Sequence, residues 1–422
     1  MKFLHAADLH IDSPLKGLEA YEGAPLERLR GATRAAMESL VSLAIDQRVD
    51  FVLIAGDLFD GQWRDMHTGL WTAAQFRRLA EHQIRVFLIR GNHDAHSRVC
   101  SSLRWPENVH VFPHEAAETV TIDELDVAIH GQSFAAQAIP EDLTENYPKP
   151  VKDHFNIGLL HTSLSGESIH DTYAPTTAAM LASRGYDYWA LGHIHKSEVV
   201  AQTPWIIMSG NTQGRHINES GEKGCYLVDV EDHHIRSVDF HPVDVLRWHR
   251  LNFCIDEEIA TVDELVDAIR DRLAELHDQD DHRLTAVRLT IEGQTSLHSL
   301  LSGRQGRETF LAELHNAANS LGDVWLERIR IETRPPLDLD RLRNGQDLLG
   351  DLIRRVDSLQ NDSDDSLQKW MDENGLFDPK TCNRLEEADL PLATPADLRA
   401  RLLEARNLLV SRLIRGQRTD DR

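Results

Sequence analysis

Five short runs combine side chains able to hold a divalent ion: Asp8-Leu9-His10, Gly56-Asp57-Leu58-Phe59-Asp60, Gly91-Asn92-His93-Asp94, Leu160-His161-Thr162 and Gly192-His193-Ile194-His195. In an extended segment successive side chains face opposite ways, so Asp8 and His10 should point together, as should His193 and His195. Two residues separated by one can then grip a single ion. Taken singly, each run has a plainer reading. D-x-H is a common chance pair, H-x-H is often solvated, and G-D-x-x-D or G-N-H-D can be an ordinary turn with an Asx cap or a left-handed Asn. Five in order, each closing an apolar segment, do not read as independent turns.

Those apolar segments are the positioning elements. Strands are expected at 3–7, 51–55, 84–90, 127–130, 156–160, 188–191 and 205–208. Most are apolar on both faces, as strands buried between helical layers are. Between them, Leu26, Leu29, Met37, Leu40, Val41 and Ala44 recur at helical spacing over 25–47, and a second helix is expected over 69–82. The pattern is an α/β layered domain, and ligands of such sheets bind beyond the carboxyl ends of the strands.

The ordered motifs resemble the calcineurin-like metallophosphoesterases, and within them the SbcD/YhaO-type DNA repair exonucleases. The motifs above carry the resemblance, with 186–195 (Tyr-Asp-Tyr-Trp-Ala-Leu-Gly-His-Ile-His) and 209–216 (Ser-Gly-Asn-Thr-Gln-Gly-Arg-His). Asp94 stands where many phosphomonoesterases carry Glu, as in the exonuclease branch. The resemblance implies a β-sandwich flanked by helices with two metal ions. One would be held by Asp8, His10 and His195, the other by Asn92, His161 and His193, with Asp57 bridging. It implies that His93 is the general acid and that Asp60 orients it. A set of imidazole and hard oxygen without sulfur suits Mn²⁺ (also Fe²⁺ or Zn²⁺) better than Mg²⁺, and the family implication is manganese.

Other residues near these motifs carry weaker expectations. Arg215 could clamp a phosphate in bidentate fashion or form a structural salt bridge. His96 could touch substrate or simply be solvated. His5 and His130 read as packed strand histidines, and His233-His234 as a surface turn.

Composition bounds the rest. The 422 residues carry 69 Asp and Glu against 45 Lys and Arg, a formal net charge of −24, so most of the surface should repel nucleic acid. A role on DNA then needs a local positive site, bound metal, or a partner that supplies the grip. The four cysteines form no C-x-x-C pair, which excludes a disulfide framework and a cysteine zinc site. No apolar run approaches membrane-spanning length, and the first residues are too polar for a signal peptide. A cytoplasmic protein with no membrane association is expected.

The chain divides by pattern into 1–244, a metallophosphoesterase nuclease domain; 245–334, a small α+β capping domain of β-α-β-α-β order; and 335–422, a helical C-terminal region. In the last, Leu339, Leu342, Leu348 and Ile353 suggest one amphipathic helix, 361–365 an acidic turn, and 395–415 an apolar-striped helix that could dock a partner. By resemblance the capping domain helps to select the DNA form. The partners implied are DNA, an SMC-like coiled-coil ATPase and, as in many relatives, a second copy in a homodimer. The expected activity is metal-dependent hydrolysis of DNA in repair, as an exonuclease with single-strand endonuclease action in reach. The alternative is a phosphoesterase of small substrates such as cyclic nucleotides or phosphomonoesters. A scaffold with a merely structural metal site is a third reading, disfavoured by the intact ligand set and His93.

Overall fold

The computed structural model describes residues 1–13, 24–60, 66–96, 103–164, 173–256, 258–281, 283–336, 342–373, 398–399, 402–403 and 405–406. Its strands are β1 Lys2–Ala6, β2 Phe51–Ala55, β3 Arg85–Ile89, β4 Val109–Val111, β5 Glu118–Ile122, β6 Val127–Gly131, β7 Phe155–His161, β8 Tyr188–Gly192, β9 Glu198–Gln202, β10 Trp205–Met208, β11 Gly224–Glu231, β12 His234–Pro242, β13 Leu246–Cys254, β14 Leu284–Gln294 and β15 Val324–Arg334. Its helices are α1 Leu26–Gln47, α2 Met66–Glu81, α3 Ala178–Ser183, α4 Val262–Gln279, α5 His298–Ser302, α6 Arg304–Ser320, α7 Leu348–Asn361 and α8 Asp364–Glu373. No helix among the described residues is long and apolar enough to cross a membrane.

Two six-stranded mixed sheets, ordered β12-β11-β1-β2-β3-β4 and β5-β6-β7-β8-β10-β9, stack face to face. Phe3, Phe51, Leu53 and Phe87 of the first meet Ile129, Ile157, Tyr188 and Ile207 of the second in a common core. The outer face of the first sheet buries Leu4, Val52 and Ile54 against Met37, Leu40 and Val41 of α1 and Phe76 and Leu79 of α2. The second sheet packs Leu160, Trp189 and Ile206 against Leu181 of α3. Each central strand is therefore apolar on both faces, as its sequence requires. Because β1, β2 and β3 run parallel, as do β6, β7 and β8, their carboxyl ends converge on one edge of the sandwich.

After β12 the chain builds a third sheet, all-parallel, β13-β14-β15, crossed by α4, α5 and α6. Thr261 and Glu264 form a reciprocal cap at the start of α4. Leu265, Ile269, Leu273, Phe310 and Leu314 pack on the face of Leu251, Val287, Leu289 and Ile291. The other face carries Leu246, Trp248, Leu284, Ala286 and Trp325, which meet Leu29 and Ile217 of the sandwich. A buried ion network fastens this joint. Asp244 accepts from the Lys223 backbone N–H (3.2 Å) and from Arg247 Nε (3.0 Å), Arg247 Nη1 reaches Asp280 (3.3 Å), and Asp280 takes His249 (2.8 Å). Residues Met1–Arg334 accordingly form one compact unit and Pro335–Arg422 another, so the pattern break at 244/245 falls inside the first.

In the second unit α7 starts only at Leu348, where the Asp347 side chain caps the Gly350 N–H, and its buried face is Leu349, Ile353, Val356 and Leu359. Leu339 lies outside the described residues, 342–343 are helical, and a break at 344–347 interrupts the single amphipathic helix expected here; Leu348 itself is exposed. The acidic run at 361–365 joins α7 to α8. Most of the helix expected at 395–415 lies outside the described residues.

His5 is fully buried in β1, between the Tyr188 hydroxyl (3.0 Å) and the Leu191 carbonyl (3.1 Å). Burial pushes its imidazole down to about 3 from an ordinary 6.5. The unfolded chain takes up this proton first, so the contribution of His5 to stability is complete above pH 6.5 and is lost as pH falls toward 3. His5→Gln, which retains hydrogen bonding without titrating, is expected to lose less melting temperature than the parent between about pH 7 and about pH 5 in scanning calorimetry. Equal losses would show that His5 does not govern acid sensitivity.

Candidate metal centre

Beyond the ends of β1, β2, β3, β7 and β8 the side chains of Asp8, His10, Asp57, Asn92, His161, His193 and His195 come together. β1 stops short of its ligands at Ala6 and β8 at Gly192, whereas His161 is the last residue of β7. Asp8, His10 and Asp57 take left-handed φ values of 51°, 45° and 51°, and His193 takes 102°. The simple alternation expected for Asp8 and His10, and for His193 and His195, therefore does not apply. Both pairs converge through tight left-handed bends, which Asp and His tolerate better than most residues. Backbone bonds from Asp8 N–H to the Gly56 carbonyl and from His10 N–H to the Asp57 carbonyl, both 3.0 Å, stitch the first two bends together. At Gly91 a Cβ would collide with the Asp57 carboxylate and backbone, so only glycine lets β3 exit beside it.

His10 Nε2 and His195 Nε2 face each other at 3.2 Å, with Asp8 Oδ1 4.0 Å from the latter. Asn92 Oδ1 lies 2.8 Å from His161 Nε2 and 3.2 Å from His193 Nδ1. Between the two groups stands Asp57, with Oδ2 3.4 Å from His161 Nε2 and 4.0 Å from His10 Nε2. The outward oxygens are fixed by backbone: Asp8 Oδ2 accepts the His193 N–H and Asp57 Oδ1 the His93 N–H, both at 2.9 Å. Asp8 Oδ1, fully buried, has no hydrogen-bond partner among the described residues. A buried carboxylate oxygen is costly to leave unsatisfied, and a cation would satisfy it.

The electrostatics fit the same demand. Burial works against charge on His161, yet the adjoining Asp57 carboxylate pushes its imidazole up to about 9. Burial likewise works to raise the Asp57 carboxyl, but His161, by charge and hydrogen bond, holds it well below the usual carboxylate range. A field that keeps a proton on a buried imidazole favours positive charge at that point. His193 is pushed down to about 3 by burial and by the charge of His161, against a pull from Asp57, and offers a neutral nitrogen ready to ligate. Asp8, His10 and His195 on one side, and Asp57, His161 and His193 on the other, could each hold a metal ion.

A supporting layer orients these groups. His161 Nδ1 donates to the Ala55 carbonyl (2.9 Å) and His195 Nδ1 to Glu219 (2.7 Å), which leaves each Nε2 lone pair toward the centre. Glu219 also accepts from Arg215 Nη2 (3.0 Å), the Arg215 backbone N–H (2.8 Å) and Asn211 Nδ2 (3.0 Å), while Lys223 Nζ donates to the His195 carbonyl (3.0 Å). At the mouth, half-exposed His93 bonds Asp60 Oδ1 through Nδ1 at 2.8 Å, and Ser13 Oγ donates to Asp60 Oδ2 at 2.7 Å. The bond to Asp60 raises the His93 pKa above its ordinary value.

Arg215 thus lies in the wall of the site with its guanidinium engaged by Glu219, 4.0 Å from Asp60. His96 ends a 3-10 turn, and its side chain lies outside the described residues. Asp94 is buried and spends its carboxylate on the backbone N–H groups of Leu58 (3.0 Å), Phe59 (3.0 Å) and Gly91 (3.2 Å), clamping two of the motif loops. His130 bonds Thr119 and Asn156, away from the centre. Sequence reasoning missed Glu219, Lys223 and Ser13. Glu219 sits 24 residues beyond its partner His195 and outside any motif, so no spacing marks it.

The calcineurin-like phosphoesterase family model matches residues 1–197, and the model for the middle domain of metallophosphoesterase YhaO matches residues 248–334. Over 81% of its length the chain is 36% identical to the uncharacterized metallophosphoesterase YhaO of Bacillus subtilis, covering 84% of that protein. The chain belongs to the YhaO family of calcineurin-like metallophosphoesterases. It is also 24% identical to a subunit of the nuclease SbcCD of Staphylococcus epidermidis, over 58% of this chain and 71% of that one. To the DNA double-strand break repair protein Mre11 of Thermoplasma acidophilum it is 23% identical, over 84% and 92%. The chain is accordingly a metal-dependent phosphoesterase, and the His and Asp clusters at the sandwich edge are its candidate divalent-metal site.

Removing the outer carboxylate tests this assembly. Glu219→Gln is expected to weaken divalent-metal binding by about 10- to 100-fold, read by isothermal titration calorimetry, with the fold intact by circular dichroism. Unchanged affinity would remove Glu219 from the supporting layer.

Proposed function

We propose that this phosphoesterase hydrolyses DNA as an exonuclease with single-strand endonuclease action in reach, using two divalent ions, Mn²⁺ in preference. The observation that carries the reading is Asp57 Oδ2 lying between two clusters of ligand atoms, with the His93–Asp60 pair at the mouth. Asp8, His10 and His195 would hold one ion; Asn92, His161 and His193 the other; Asp57 would bridge. Bound there, divalent ions polarise the phosphoryl oxygens and make water nucleophilic near neutral pH.

The chain's own residues supply the remainder. His93 is the general acid. Asp60 fixes its Nδ1–H and favours the imidazolium, so Nε2 is left to protonate the departing sugar oxygen. Asp60 acts through His93 and is a positioning residue, itself steadied by Ser13. Arg215, partly neutralised by Glu219, adds positive charge to the wall against which a phosphate would lie. His96 adjoins the same loop as His93 and is proposed as a substrate contact. Residues 1–244 form the catalytic part, 245–334 the cap and 335–422 a partner-docking region.

Support for DNA, and for a role in repair, comes from relatives named as part of a nuclease and as a double-strand break repair protein. A chain of net charge −24 gains from borrowed grip, so an SMC-like ATPase and a second copy of this chain are the proposed partners, in the cytoplasm.

Leaving-group chemistry separates the acid from the metal site. With Mn²⁺, His93→Ala should lower kcat on DNA by about 100- to 10,000-fold, because a sugar oxygen is a poor leaving group that needs a proton. The same variant should lose far less on a diester of an acidic phenol. Asp60→Asn should show the pattern more mildly. Equal losses on both substrates would remove His93 from the acid role, and a parent protein that cleaves the small diester but never DNA would favour the small-substrate reading.

A further inference from the structure

The cap sheet has one face covered by α4, α5 and α6 and one face that is not. On the uncovered face the residues nearest the sandwich are Leu246, Trp248, Leu284, Ala286 and Trp325, packed onto Leu29 and Ile217. The next position outward on each strand is an arginine. Arg250, Arg288 and Arg328 are register partners across β13, β14 and β15, and Arg330 stands in the row beyond. A bulge between Val287 and Arg288 inserts Glu327 and brings Arg328, rather than the acid, level with Arg288. Adjacent strands lie about 4.8 Å apart, so three guanidinium-bearing positions stand side by side.

Like charges in register are destabilising. Arg288 is gripped by the buried Glu327 carboxylate (2.7 and 2.5 Å), and Arg250, Arg328 and Arg330 are exposed to solvent. The acids Glu292 and Glu332 lie two rows beyond Arg288 and Arg328, at the far end of the strands. The face is therefore polarised, positive next to the sandwich and negative away from it, on a chain whose formal charge is −24. Its positive end also adjoins the metal centre. Arg250 Nη2 donates to Asn218 Oδ1 (2.5 Å), and Asn218 sits beside Glu219, the residue that holds His195 and Arg215.

We propose that this arginine row is the track for the sugar-phosphate backbone of a polynucleotide, continuing the positive wall of the metal centre out over the cap sheet. The inference rests on the DNA-hydrolase reading and deepens it by naming the surface that would tell a polynucleotide from a small phosphodiester. A substrate with one phosphate touches only the centre. A strand with several touches the row as well, and each phosphate contact adds salt-sensitive affinity.

The test uses the full-length protein with Mn²⁺ and a triple variant, Arg250→Ser, Arg328→Ser and Arg330→Ser. Arg288 is retained because its loss would strand buried Glu327. Melting temperature checks the fold, and a chromogenic phosphodiester checks the centre. Diester hydrolysis should match the parent. On oligonucleotides KM should rise at least about tenfold, and the slope of log KM against log salt should fall by about two to three, nearly one per lost phosphate contact. Arg250→Lys with Arg328→Lys and Arg330→Lys, which keeps the charge, should recover most of the loss. A triple serine variant that cleaves oligonucleotides with parental KM and salt slope overturns this inference alone. A parent protein that hydrolyses the diester and leaves oligonucleotides intact overturns the DNA reading, and this one with it.

Discussion

Two carboxylates, an amide and four imidazoles packed largely out of water are a liability unless positive charge stands among them. Asp8 and Asp57 are each 1% exposed, and the Asp8 oxygen that faces the centre has no hydrogen-bond partner among the described residues. Desolvating such groups without compensation would cost several kcal/mol each, a large share of the stability of a domain. The rest of the sandwich can be understood as what it takes to hold them there. Parallel strands deliver their carboxyl ends to one edge, left-handed bends turn the side chains inward, and glycine at Gly91 allows two loops to touch.

Much of this was legible because the central strands are apolar on both faces, a pattern few other elements produce. The ends of those strands were read correctly to within a residue or two. The route by which Asp8 and His10 meet was not. Alternation along an extended chain predicts the right convergence for a wrong reason, since φ at both residues is positive and the strand has already ended. Half-exposed strands such as β9 and β12 carry mixed side chains and gave no comparable signal.

Supporting residues were the least visible. Asp94 looked like a marker of substrate class, whereas its carboxylate closes three backbone N–H groups and ties the Asp57 loop to the Asn92 loop. Glu219 and Lys223 work through single contacts to His195, set by tertiary packing across a turn, and no periodicity encodes such contacts. In the second unit Leu342 continues the apolar spacing of Leu348 and Ile353 as if in one helix, while the break at 344–347 and the Asp347 cap divide it.

The ion network at the joint has a consequence for anyone who would cut this chain. Asp244, Arg247 and Asp280 are all at most 3% exposed, and Lys223, whose backbone N–H binds Asp244, reaches the His195 carbonyl with its ammonium group. Severing the polypeptide after Asp244 would expose that carboxylate, remove its guanidinium partner and loosen the segment bearing His195. The three-stranded parallel sheet is thus a buttress that the sandwich cannot shed, and a graft from another protein would have to supply its own counterpart to Arg247.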